Sequence, residues 1–505
     1  MSNAQGAAGI ETRGLTKAWG DCVSVSGVSL NFEPGLIHAV LGENGAGKST
    51  LMKLLFGLHR PTEGEILIDG EKVEWASPLE AIARGLGMVQ QHFTLVDKLS
   101  AIDNIMLGAE VASMGKLDRK KAIELLEKRL PTSHLAVPWH AKVEDLTVGQ
   151  KQKVEILKLL FRDSKVLFLD EPTAVLTPGE IEEFFAMLKS LKAQGRTIVL
   201  ITHKIGEVLS VCDTYTVLRQ GKLIARGRVA GASAESIVES MIGRKLPSIT
   251  GDRPAPRAEV AIECAGLRER EHARGSLKEI NLRLRRGEIV GVAGVEGAGQ
   301  SNFVEAVMGL RDFEGELSIL GREMKPLQAP IVRDLGTGLV PEDRHHQGLW
   351  LDESCYTNMA IGLEDQFLKH NLFQQEKLET VTGGWATEYD VRAASLETSV
   401  GRLSGGNQQK LLFAREVTGR KPKLLVCHQP TRGVDLGAID LIHRKLISLR
   451  NEGVAILVLS SELDELMTLS DRIYVFYEGK VSAELERSAF DRFAIGAAMT
   501  GVTRG

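Results

Sequence analysis

Residues 33–50 read EPGLIHAVLGENGAGKST, and LMKLLFGL follows them at 51–58. An apolar run at 36–41 leads into Gly42, Glu43, Asn44, Gly45, Ala46 and Gly47. Lys48, Ser49 and Thr50 then open the next apolar stretch. The spacing satisfies G-x-x-x-x-G-K-[ST] at every position, in the strand–loop–helix setting the motif requires. Glycines let the backbone curl so that its N–H groups converge on an anion, and the start of a helix adds a favourable dipole. Lys48 is placed to neutralise a terminal phosphate and Ser49 to ligate Mg²⁺. The stretch predicts a nucleotide-phosphate cradle on an α/β sheet.

The same pattern recurs. RRGEIVGVAGVEGAGQSN at 285–302 repeats the first stretch, with Gly42 and Gly294 252 residues apart. DLTVGQKQK (145–153) returns as RLSGGNQQK (402–410), and KVLFLDEPT (165–173) as KLLVCHQPT (423–431). LITHKIGEV (200–208) returns in the run beginning at Leu459, with Glu207 and Glu465 258 residues apart. Four blocks in one order at a nearly constant offset mean a duplicated domain of about 250 residues rather than a short-period array. The expected division is 1–246, a linker at 247–259 (PSITGDRPAPRAE, with three prolines) and 260–505. The linker and the first ten residues are expected to be mobile. Strands are expected at 36–41, 166–169 and 197–201, repeated at 288–292, 424–426 and 454–459, and a more helical subdomain at about 97–145.

The 505 residues carry 62 Lys+Arg against 66 Asp+Glu, a net charge of −4. That near balance gives no support to a nucleic-acid binder driven by phosphate attraction. Composition is that of a folded protein, with 43% hydrophobic and 25% charged residues. No run approaches the roughly 18 apolar residues of a membrane span, and MSNAQGAAGI lacks the basic-then-apolar order of a signal peptide. The five cysteines are scattered and form no C-x-x-C pair, which points to isolated thiols in or near cores.

VLFLDE places Asp170 and Glu171 at the end of a buried strand, where sheets of this type carry their ligands. Asp170 is the expected Mg²⁺ ligand beside Ser49, and Glu171 the group that orients or deprotonates water. His203 ends a third strand, within reach of a terminal phosphate.

The set resembles the nucleotide-binding domain of ABC ATPases, twice over. Leu146-Thr147-Val148-Gly149-Gln150 is similar to the family's L-S-G-G-Q signature, and Gln91 to its Q-loop glutamine, which also contacts Mg²⁺. Trp19 lies where the family stacks an aromatic on adenine; packing into a core is the lesser alternative for an aromatic there. The resemblance implies an α/β chain of two tandem P-loop ABC-type nucleotide-binding domains. Each would be a mixed sheet flanked by helices with a helical subdomain, using ATP and Mg²⁺, and Lys48, Glu171 and His203 would be catalytic.

The second copy departs in one direction. Its loop is Gly294, Gly297, Gly299, Gln300 and Ser301, with glutamine where the lysine belongs. His428 and Gln429 replace the two acids, Ser461 replaces His203, Glu342 stands at the Q-loop position and Glu271 at that of Trp19. Gln429 can orient water but accepts no proton as a carboxylate does. The signature shows the reverse: Leu403-Ser404-Gly405-Gly406-Asn407 is close to the family pattern, whereas the first copy carries Thr147 and Val148. In the family, domains pack head to tail and each ATP lies between one phosphate loop and the other domain's signature. The resemblance therefore implies one competent site, from the first loop with Ser404, Gly405, Gly406 and Asn407 and the D-loop acid Asp435. The other site, from the second loop with Thr147 and Val148, would be degenerate; Thr177 stands where its D-loop acid would be.

Tandem domains with a degenerate second half resemble the ATPases of simple-sugar and nucleoside importers. Expected partners are two transmembrane permease subunits, as a homo- or heterodimer, and an extracytoplasmic solute-binding protein, with this chain peripheral on the cytoplasmic face and no nucleic acid. His92-Phe93, Gln300 and Gln429 look more like the nucleoside group, since sugar members tend to carry Glu-Leu, Arg and an acid there. A soluble tandem ATPase of translation or DNA repair is the remaining class; the short linker and the absence of a basic run or cysteine-rich insertion speak against it.

Overall fold

A strand of five residues with both faces apolar has to lie inside a layered sheet. Ile37–Leu41, Val166–Asp170 and Thr197–Ile201 are such strands, buried throughout. A computed structural model describes residues 8–20, 22–43, 45–90, 93–113, 116–129, 137–173, 176–202, 204–243, 253–270, 275–295 and 297–501. The chain divides into two compact units, Met1–Pro247 and Ser248–Gly505.

In the first unit a six-stranded sheet runs in the order Lys222–Arg228, Thr214–Arg219, Ile37–Leu41, Thr197–Ile201, Val166–Asp170, Leu86–Val89. Neighbours are parallel except for the first pair, which is antiparallel. A smaller antiparallel sheet is built from Cys22–Phe32, Ile10–Trp19, Glu63–Ile68 and Glu71–Val73. Lys48–Leu55 is the helix that follows the glycine loop. It buries Leu51, Met52, Leu54 and Leu55 in one core with Val25 and Ile66 of the small sheet and Val40, Phe168 and Val199 of the large one.

The second unit repeats this plan. Its six-stranded sheet runs Thr337–Val340, Leu424–His428, Ala455–Leu459, Ile289–Gly294, Arg472–Tyr477, Lys480–Glu486, and its small sheet runs Ile280–Arg285, Val260–Arg268, Glu314–Ile319, Arg322–Glu323. The two central strands that carry the candidate ligands outlast their apolar runs. Asp170 pairs in register with Ile201 and His428 with Leu459, so these residues are the last of their strands rather than the first of a turn.

Helices Ala101–Met106, Arg119–Arg129 and Val148–Phe161 make the first unit's helical subdomain. Cys355–Ala360, Gln375–Glu388 and Gly405–Phe413 are their counterparts. Each subdomain also carries a two-residue hairpin, Ala112–Ser113 with Lys116–Leu117 and Leu368–Lys369 with Leu372–Phe373, too short for periodicity to reveal. The expected linker needs correction at its end. The Arg253 guanidinium donates to the carbonyls of Thr468 (2.6 Å) and Leu469 (2.7 Å), and the Arg257 N–H donates to Arg286 O (2.8 Å). The stretch from 253 is thus fastened to the second unit. Ala8 and Ile10 are likewise buried rather than loose. Among the described residues no helix is long and apolar enough to cross a membrane. Four cysteines are buried and Cys22 is exposed.

One buried asparagine in each unit fixes the entry to the helical subdomain. Asn104 accepts from Val96 N (2.7 Å) and donates to Val96 O (3.0 Å) and Ser100 O (3.1 Å). Asn358 does the same with Trp350 N (2.8 Å), Trp350 O (2.9 Å) and Ser354 O (3.0 Å). Truncation strands buried backbone groups, so Asn104→Ala and Asn358→Ala should each destabilise their unit by about 1–3 kcal/mol, read as a lower urea midpoint.

Candidate functional site

The first glycine loop is shaped by close approach. Gly47 has φ +96°, and a Cβ there would lie 2.4 Å from Ser24 O. A Cβ on Gly42 would lie 2.3 Å from Leu218 O. Gly47 precedes helix Lys48–Leu55 in a left-handed conformation without a side-chain cap, which leaves the first N–H groups of the helix open to an anion. The second loop keeps this shape: Gly299 has φ +111° and precedes helix Gln300–Val307 in the same way. In both loops the alanine N–H closes a turn, Ala46 on Glu43 O and Ala298 on Val295 O, each at 3.0 Å.

The side chains differ. Lys48 is buried, and its ammonium donates to Gly42 O (2.8 Å) and Glu43 O (3.0 Å), carbonyls of its own loop. Burial lowers its pKa, opposed by Glu171, Asp170 and Glu43. The Gln300 amide folds against Gly294 instead, where a Cβ would meet its Nε2.

Ser49 Oγ donates to Asp170 Oδ2 at 3.1 Å, so hydroxyl and carboxylate converge at one point. Asp170 is 7% exposed. Burial raises its pKa and Glu171 adds to the rise, against the pull of the Ser49 hydrogen bond and of Lys48 and Lys53. A buried hydroxyl–carboxylate pair beside a phosphate cradle is the donor set that suits Mg²⁺, which takes one or two protein oxygens and completes its shell with phosphate and water. Among the described residues no cluster of three His, Cys, Asp or Glu forms a self-contained metal site. Gln91, Asn44 and His203 lie outside the described residues, as does Glu271.

Glu171 and Gln429 share an unusual backbone. Their φ values are +47° and +53°, in the left-handed region where non-glycine residues are strained. Each N–H reaches the neighbouring strand, Glu171 to Ile201 O (3.0 Å) and Gln429 to Leu459 O (2.7 Å). The strain aims the side chain and was invisible in the sequence, where a residue before proline is expected to be extended. Gln429 Oε1 is taken by Ser461, which donates to it from N and Oγ, both at 3.2 Å. Beside it His428 is buried, 3.5 Å from Glu342 Oε2, while Glu342 Oε1 accepts from Arg432 (2.7 Å). Burial keeps the His428 pKa below the usual imidazole value, against the opposing pull of Glu342.

Below the first strand end, Glu207 is buried and accepts from Thr173 Oγ1 (2.6 Å) and Thr202 Oγ1 (3.0 Å), linking the residues that follow strands Val166–Asp170 and Thr197–Ile201. Glu465 accepts from Thr431 Oγ1 (2.8 Å) at the equivalent place.

The two signature turns open their helices differently. Thr147 caps Val148–Phe161 through a reciprocal box with Gln150. Val148 is exposed there. Ser404 caps Gly405–Phe413, with its Oγ accepting from both N–H and side-chain amide of Asn407. Asp435 caps helix Leu436–Glu452, and Thr177 caps Pro178–Ala193. Trp19 is 49% exposed, edge-on to His59 at 5.0 Å with the Lys17 ammonium 4.3 Å from its ring. It is a surface platform and not a core residue.

The ABC transporter family model matches residues 25–174 and 277–432. The nucleoside import ATP-binding protein NupA of Lactococcus lactis subsp. cremoris is 41% identical over 496 residues, covering 96% of this chain and 97% of that protein. The guanosine import ATP-binding protein NupO of Bacillus subtilis is 41% identical over 502 residues, 98% of each. The ribose import ATP-binding protein RbsA of Bacillus licheniformis is 35% identical over 481 residues, 95% of this chain and 97% of that protein.

A raised carboxyl pKa means that the fold prefers the protonated form, so stability is lost as the pH rises from the usual carboxylate range through the folded pKa of Asp170, and the loss is complete above it. Asp170→Asn should therefore melt a few degrees higher than the parent at pH 8 without nucleotide. That gain should shrink as the pH falls toward the carboxylate range. The additional stabilisation by ATP with Mg²⁺ over ATP with EDTA should be lost in the variant.

Proposed function

The chain belongs to the ABC transporter family, and we propose that it is the energy-coupling ATPase of a nucleoside importer, with one hydrolytic centre per chain. The observation that carries this is the pair of strained strand ends. The same left-handed backbone presents a carboxylate at Glu171 and, at Gln429, an amide already engaged by Ser461. Geometry is kept in both halves, and proton-accepting chemistry in one.

In the competent centre the glycine loop and the first N–H groups of helix Lys48–Leu55 would hold the phosphates. Lys48 would exchange its two loop carbonyls for phosphate oxygens. Glu171 would accept the proton of the attacking water while His203 contacts the terminal phosphate. Trp19 offers an exposed face for adenine. Ser49, Asp170 and Gln91 would hold Mg²⁺, which supplies charge neutralisation on the phosphates. Ser404, Gly405, Gly406 and Asn407 would complete this centre, and Thr147 and Val148 would face the degenerate loop.

Nucleosides are favoured as cargo because relatives named for nucleoside and guanosine import share 41% identity over nearly the whole chain, against 35% for a ribose import protein. His92-Phe93, Gln300 and Gln429 point the same way. Two separate permease subunits and an extracytoplasmic solute-binding protein would supply the pathway, with this chain on the cytoplasmic face of the membrane.

Glu171→Gln should cut steady ATP turnover by roughly 10²–10⁴-fold while ATP still binds, whereas Gln429→Ala should leave turnover within about threefold; retained turnover in Glu171→Gln would overturn the assignment. In cells lacking the chain, uptake of labelled nucleoside should fail and return with the wild type but not with Glu171→Gln. Loss of ribose uptake instead would replace the cargo and keep the ATPase.

A further inference from the structure

Arg344 stands in a segment that the first half lacks. Val89 and Val96 are seven residues apart, whereas their counterparts Val340 and Trp350 are ten apart. The extra residues form a π-helical turn, Arg344–Gly348, capped by Asp343, whose carboxylate accepts from the N–H groups of His345 and His346. From the start of that turn the Arg344 guanidinium reaches three places. Its Nε donates to Gln408 Oε1 (3.2 Å) on the signature helix. Its Nη1 donates to the carbonyl of Arg432 (3.0 Å), in the turn that leads to Asp435. Its Nη2 lies 2.6 Å from where a Cβ of Gly405 would be, and that Cβ would also be 3.1 Å from Gly433 O. A side chain at 405 would therefore displace the guanidinium from this position.

Every partner differs in the half with the poor signature. Gly405 corresponds to Val148, Gln408 to Lys151, Arg432 to Ala174 and Gly433 to Val175. A valine would collide with the guanidinium and a lysine would repel it. The arginine, its glycines and its amide acceptor occur together, in the half whose signature is intact.

We infer that Arg344 is a positioning residue for ATP hydrolysis: it ties the signature turn to the turn before Asp435, and so fixes the arrangement in which residues 404–407 meet ATP. This rests on the proposed reading, in which that signature serves the competent centre. The fork is suited to the task, because a planar guanidinium bridges several acceptors at set angles and an ammonium does not. Its acceptors are an amide oxygen and a backbone carbonyl, so the link is geometric and not an ion pair. Burial lowers the Arg344 pKa, with Asp343 opposing. Arg344 lies two residues from Glu342, at the Q-loop position. A shift of that loop would therefore be transmitted to the signature turn.

The test uses the full chain as wild type, Arg344→Ala, Arg344→Lys and Glu171→Gln. Binding of a fluorescent ATP analogue, steady ATPase kinetics and melting are measured on each. Arg344→Ala should lose roughly 10- to 100-fold in kcat, the scale of a misplaced catalytic group, with analogue affinity within about threefold of wild type. Arg344→Lys should fail to restore kcat, and added guanidinium ion at millimolar concentration should raise the kcat of Arg344→Ala. Wild-type kcat in Arg344→Ala overturns the inference, as does a loss of affinity equal to the loss of kcat. If Arg344→Ala fails to fold, Arg344→Lys decides: reduced kcat at an unchanged melting temperature supports the inference, and wild-type kcat overturns it. Glu171→Gln separates the two levels. Turnover in that variant would sink the reading of the catalytic centre, whereas a dead Glu171→Gln beside a fully active Arg344→Ala would sink the role of Arg344 alone.

Discussion

The glycine loop at 42–47 is wedged between a carbonyl of the small sheet and a carbonyl of the large one. Ser24 O stands 2.4 Å from any Cβ at Gly47, and Leu218 O stands 2.3 Å from any Cβ at Gly42. That closeness determines much else. The loop cannot drift, so the helix after it starts at a fixed point with its N–H groups facing outward. The helix is held by burying four side chains between the sheets. The strand ends that carry Asp170 and Glu171 belong to the same large sheet, paired residue by residue with Thr197–Ile201. The glycine loop, the Ser49–Asp170 pair and Glu171 are thus positioned by one packed framework.

The second unit preserves this frame more faithfully than its chemistry. Gly299 keeps the left-handed turn, Gln429 the strained φ and Ser404 the cap. A strained residue persists only where its surroundings over-determine it. In Gln429 the left-handed φ is kept against the extended preference that the following proline imposes, and the N–H bond to Leu459 O holds it there. The second half keeps the backbone shape of the first and differs from it in side-chain chemistry.

Much of this was legible in the sequence. The motif at 42–49 and the repeat needed only spacing and residue type, whereas the expected segregation of defects came from the family resemblance. Strand ends were placed one or two residues short, because an aspartate or histidine closing an apolar run looks like a turn until its partner strand is known. The small hairpins escaped because two-residue strands have no period. The anchoring of Arg253 and Arg257 escaped because prolines and charge read as linker, whereas arginines that find backbone carbonyls make structure. Arg344 escaped because its partners lie 61 to 89 residues away in sequence, although the three-residue insertion and the change from Val148 to Gly405 were both visible.

The losses in the second loop are linked by electrostatics and need not be independent accidents. A buried ammonium costs solvation, and the lowered pKa of Lys48 records that cost. It is tolerated because Glu171, Asp170 and Glu43 all favour the charged form. Their counterparts are Gln429, His428 and Val295, none of them an acid. A lysine at 300 would be a buried cation with those three anions gone, which is far more costly than a neutral amide. Gln300, Gln429, His428 and Val295 thus form a set without the buried ammonium and the three acids of the first loop.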